Sequence, residues 1–100
     1  MRNSLFVLLL SAAASVQAAD APKVGAYAFD WLKPETTRCR ALSAADVKRI
    51  APHCQVGDGH AFGLDDPTHR CQLNELSELF VYATSAQCER EFETMQANGP

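Results

Sequence analysis

Along the first twenty residues the apolar positions do not alternate. They run unbroken from Leu5 to Leu10 and resume through Ala12 to Ala14. Arg2 precedes this run and the small-residue stretch Val16-Gln17-Ala18-Ala19 follows it, which is the order of a cleavable secretory signal peptide. The unbroken run is too short to cross a hydrocarbon layer of about 30 Å as a helix, and Asp20 to Lys23 offer no stop-transfer anchor. Cleavage after Ala18 puts Val16 and Ala18 at the two recognition positions, so residues 19–100 are expected to form the mature chain.

The pattern then changes to period two. Tyr27, Phe29 and Trp31 alternate with Ala28 and Asp30 between Pro22 and Pro34, which predicts a short strand or extended arm. Its three rings project to one side and are expected to dock on the protein's own core. A helical segment follows. Ser43 and Asp46 have capping-box spacing and Pro52 stops the run, so a helix is expected over Ala44 to Ile50. Leu42, Val47 and Ile50 form its apolar side, with Lys48 and Arg49 toward water.

Between Gln55 and His69 the turn-forming residues Gly57, Asp58, Gly59, Gly63, Asp65, Asp66 and Pro67 dominate, and only Ala61, Phe62 and Leu64 can pack inward. Two strands are expected next, Arg70 to Leu73 and Glu78 to Thr84, joined as a hairpin through Asn74 to Ser77. Leu73, Leu76, Leu79 and Phe80 also fit helical spacing, but the β-branched and aromatic content of Leu79-Phe80-Val81-Tyr82 favours the hairpin. A last helix is expected over Ser85 to Ala97. Thr84 and Gln87 have cap spacing, Cys88, Phe92 and Met95 recur at i, i+4 and i+7, and Gly99-Pro100 ends it.

The fold class is therefore α+β: a small disulfide-stapled domain with two helices and a short antiparallel β-hairpin or small sheet. An extended N-terminal arm occupies residues 19–38 and the stapled domain residues 39–100. So small a domain gains little from its core alone and needs staples. Cys39, Cys54, Cys71 and Cys88 supply two, because an even cysteine count in an exported chain reads as disulfides. Their spacings of 15, 17 and 17 do not suit a structural zinc site. The hairpin places Cys71 beside Tyr82 to Thr84, where the last helix begins, so the expected pairing is Cys71 with Cys88 and Cys39 with Cys54.

Charge narrows the function. Eight basic residues face twelve acidic ones after Ala18, a net −4 that argues against nucleic acid and against anionic lipid. With no cysteine at the end of the apolar run, no membrane anchor is expected after cleavage. Ser43, Ser77 and Ser85 stand at caps or turns, none in a nucleophile elbow, and there is no Cys-x-x-Cys pair. Glu75 and Glu78 are paired in sequence, but so small a domain has little room for a catalytic cleft. The chain is thus read as non-enzymatic and cofactor-free. It is expected to be an exported module, periplasmic or extracellular like many small stapled bacterial proteins, that binds an unknown protein or envelope component. The alternative is a metal-binding or metal-sensing domain using the loop from His60 to His69 with a carboxylate of Asp58, Asp65 or Asp66, His53 lying just before it.

Overall fold

The computed structural model describes residues 21–57 and 63–98. The segment expected to be a signal peptide, with its expected cleavage site, His60, and the Gly99-Pro100 stop lie outside the described residues. The chain runs β1 (Tyr27–Asp30), β2 (Arg40–Ala41), α1 (Ala44–Ile50), a 3-10 turn (Ala51–His53), β3 (Cys54–Val56), β4 (His69–Asn74), β5 (Ser77–Tyr82) and α2 (Ser85–Asn98). Its five strands form one antiparallel sheet in the order β2-β1-β5-β4-β3. The molecule is a small α+β domain with two helices and two disulfides.

Local chemistry explains the helix ends. Asp46 donates its backbone N–H to the Ser43 hydroxyl at 3.1 Å, and the Asp46 carboxylate accepts the Ser43 N–H at 3.0 Å, so the capping box closes reciprocally. Those Ser43 bonds, the backbone N–H first, hold the Asp46 carboxyl below the usual carboxylate range, and Arg49 adds to the effect. At α2 the Gln87 N–H donates to Thr84 Oγ1 at 3.1 Å. The β4–β5 hairpin is tighter than expected, with only Glu75 and Leu76 between the strands, and Asn74 Oδ1 accepts the Leu76 N–H at 2.8 Å. Gly25 holds φ at +91° in the turn before β1, where its N–H donates to the Leu42 carbonyl.

Period two decides which side chain meets which helix. The period-two segment is an internal strand, with Tyr27 opposite Ala41 on one side and Tyr82 on the other. Phe29, Phe80 and Tyr82 turn to one face and are buried there with Cys88 and Met95 of α2, while Tyr27, Trp31, Cys39 and Phe92 pack around them. The rings interlock: Phe29 stacks on Tyr82 at 6.0 Å between centroids and meets Phe92 edge-on at 5.7 Å. The opposite face carries Ala28, Cys71 and Val81, covered by Ile50 and Val47 of α1 and by Leu42. Smaller side chains on this face match a helix of seven residues, about 10 Å long, which cannot cover six-residue strands from end to end.

The same parity corrects the disulfide pairing. The bonds are Cys39–Cys88 and Cys54–Cys71, not Cys71–Cys88 and Cys39–Cys54. Cys71 lies opposite Leu79 rather than Tyr82, on the face that α1 covers, whereas Cys88 belongs to α2, which covers the other face. The sheet itself separates the two sulfurs. Cys54 instead begins β3, which pairs with β4 and puts Cys54 directly opposite Cys71, with their Cα atoms 3.9 Å apart. Arg40 lies opposite Ala28, so its neighbour Cys39 faces α2 and reaches Cys88 at a Cα separation of 6.1 Å.

Candidate functional site

Three buried carboxylates are the first places to look for chemistry, and each is held by the fold. Asp30 Oδ2 accepts the Ser77 hydroxyl at 2.6 Å, and Oδ1 accepts the backbone N–H groups of Leu32 at 3.0 Å and Glu78 at 3.3 Å. Thr37 Oγ1 receives the Asp30 N–H at 2.7 Å, so this one residue joins the end of β1, the segment after it and the hairpin. Glu78 accepts the Trp31 indole N–H at 2.8 Å and lies 3.6 Å from the Arg70 guanidinium. Glu91 accepts the Asp65 N–H at 3.0 Å and the Arg90 Nε–H at 3.2 Å. These contacts supply the donors that buried carboxylates require, and they fasten loops to the core.

Among the described residues, those singled out in the sequence do not form one cluster. Glu75 is exposed in the hairpin turn while Glu78 is buried, so the pair does not share a cleft. Ser43 caps α1, Ser77 serves Asp30, and Ser85 is exposed at the start of α2. His53 is exposed at the end of the 3-10 turn. His69 opens β4, its Nδ1 3.0 Å from the Thr68 hydroxyl. Asp65 and Asp66 are exposed, and His60 and Asp58 lie outside the described residues. Among the described residues no three of His, Cys, Asp and Glu stand together as a metal-holding set. All four cysteines are consumed in disulfides.

What the structure does bring together is a cleft of about 280 Å³ at the end of the sheet that α1 leaves uncovered. Its floor is apolar: Ala28, Leu42, Leu73 and Leu79 line it, with Leu73 and Leu79 only half-buried. The small Ala28 side chain gives it depth. One wall comes from the β1–β2 connection and β2, with Thr36, Thr37, Arg38 and Arg40, and the other from Asp46 and Arg49 of α1. Three of the eight basic residues after Ala18 thus gather at one cleft of an otherwise acidic chain. Arg49 is tied to Asp46 at 3.5 Å, while Arg38 and Arg40 make no ion pair among the described residues. A second hollow of about 330 Å³, between Lys23–Ala26 and Thr68–His69, has Lys23 and His69 as its titratable lining groups among the described residues.

The sequence pattern marks Arg49 only as a solvated helix position and does not mark Arg38 or Arg40. The signal that could have found them is parity. In an extended run with Cys39 turned to one face, Arg38 and Arg40 both turn to the other. Comparison with protein families, with curated proteins and with solved structures gives no match to this chain.

Proposed function

We propose that the chain is a small exported, non-enzymatic binding module that holds its partner, a protein or envelope component, in the cleft between α1 and β2. The observation that carries this reading is the meeting of an apolar floor with a cationic rim in one concave place, the arrangement by which a site gains affinity from burial and orientation from charge. Assignment of the buried carboxylates to loop anchoring supports binding rather than catalysis. Two disulfides support export, since such bonds persist in oxidising compartments such as the periplasm or the extracellular medium. No helix among the described residues is long and apolar enough to cross a membrane.

Site-specific photocrosslinking in the producing cell tests the surface. A photoreactive residue at Thr36, exposed on the cleft rim, is expected to give one discrete adduct, and the same probe at Glu89, exposed on α2 across the sheet, none. No adduct from Thr36, or an equal adduct from Glu89, overturns the reading.

A further inference from the structure

The identity of the cleft's occupant can be taken further, on the reading just given that the cleft is the binding surface. Its volume of about 280 Å³ lies at the lower edge of small-molecule sites, which enclose about 300–1,000 Å³. It has room for one large apolar side chain and little more. Leu73 and Leu79 are half-exposed at its floor, so one such side chain laid on them removes their remaining apolar surface from water.

Charge selects the group next to that side chain. Arg40 stands directly opposite Ala28 across β1 and β2, is exposed, and lines the cleft beside its apolar floor. Arg38 lines the same wall, and one of its N–H groups donates to the Thr37 carbonyl at 2.6 Å. Of the two carboxylates that line the cleft, Asp30 accepts three neutral protein donors and Asp46 is engaged by Ser43 and Arg49, and neither forms an ion pair with Arg38 or Arg40 among the described residues. An arginine fork matches a carboxylate in planar, bidentate geometry. Finally, β2 is an edge strand, and an edge presents backbone donors and acceptors to an extended chain.

We infer that the cleft takes the carboxyl terminus of a peptide whose last side chain is apolar: the side chain lies on Leu73 and Leu79, and the terminal carboxylate meets Arg40 and Arg38. A chain terminus is the peptide element that places one carboxylate beside one apolar side chain within so small a volume. An internal acidic segment distributes the two over separate residues.

The test is a nuclear magnetic resonance titration of the oxidised chain with a synthetic alanine peptide ending in leucine, as the free acid and as the C-terminal amide, alongside sodium acetate. The free acid is expected to shift the backbone amides of Arg40, Leu73 and Leu79. Amidation is expected to weaken binding about tenfold or more, as loss of a charge-assisted pair does. Arg38→Gln with Arg40→Gln should weaken it equally, while Lys48→Gln on the exposed side of α1 leaves it unchanged. Arg38 and Arg40 are exposed, so the double variant keeps its fold, which the unshifted resonances of the α2 core report directly. The inference is overturned if the amide binds as well as the acid, if acetate binds as well as the peptide, if an internal acidic peptide binds more tightly, or if the shifts map away from the cleft. Absence of binding by the free acid also overturns it. A Thr36 adduct persisting beside that absence means that the cleft still binds and only the occupant named here is wrong.

Discussion

Tyr82 shows what one buried hydroxyl does in this domain. Its ring is fully enclosed beneath α2, and its hydroxyl leaves the core only far enough to donate to the Asp65 carbonyl at 3.1 Å. Glu91 takes the N–H of the same residue, so the loop ahead of β4 is held by two bonds at Asp65. Burial pushes the phenol pKa well above its ordinary value, and the negative charges of Glu91, Asp65 and Asp66 push it further. A raised folded-state value means that the folded protein keeps a proton the unfolded chain releases. The stabilisation is therefore complete below about pH 10 and is lost as pH rises toward the folded-state value. Tyr82→Phe is expected to cost about 1 kcal/mol at neutral pH through the lost hydrogen bond. It also removes the alkaline dependence, so wild type and variant should converge as pH passes about 10, read from urea unfolding midpoints at matched pH. A gap that stays constant across that range sinks the argument. Glu91 could not have been found from its residue type. Glutamate on a helix is ordinarily solvated; helical spacing puts Glu91 on the stripe with Cys88 and Met95, and the loop at Asp65 supplies the donor that lets it stay buried there.

At the scale of elements, the two disulfides staple opposite faces of one sheet. Cys39–Cys88 ties the approach to β2 to the first turns of α2 and closes a sequence separation of 49, whereas Cys54–Cys71 ties two neighbouring strands and closes 17. Loop-closure entropy gives about 4 kcal/mol for the first and about 3 kcal/mol for the second. Replacing Cys39 and Cys88 together by alanine is therefore expected to lower the thermal midpoint more than replacing Cys54 and Cys71 together. The reverse order argues that the bond between the strands carries the greater load. The helices follow their local signals closely: α1 occupies Ala44–Ile50 as its cap and proline require, and α2 begins just after Thr84. Two short strands had no such signal. Arg40–Ala41 and Cys54–Val56 are too brief for a period to show, and each is a strand only because a longer one, β1 or β4, offers it a hydrogen-bonding edge.

For the whole molecule, the proposed export predicts a covalent state that can be weighed. Protein recovered from its native compartment is expected to begin at Ala19 and to take up no alkylating reagent before reduction, since all four cysteines are bonded. Intact mass before and after alkylation reads both features. Two or more modified thiols without prior reduction contradict the oxidised state on which the export reading leans. The same covalent state keeps the cleft in shape. Cys39 lies between the rim arginines Arg38 and Arg40, so its bond to Cys88 holds the arginine-bearing segment from the far side of the sheet.

The α+β class, both helices, the hairpin and the inward docking of Tyr27, Phe29 and Trp31 were all legible in the sequence, because each depends on local caps, turns and periods of two or 3.6. The disulfide pairing and the cleft were not. Both depend on which face of the sheet a side chain occupies, and with a period of two a displacement of one residue reverses the answer. Cys71 opposite Leu79 instead of Tyr82 is enough to send it to the other face from Cys88. That register is fixed by the two-residue turn at Glu75–Leu76, the irregularity between Gln72 and Asn74, and the docking of β3, which are contacts between segments rather than properties of any one of them.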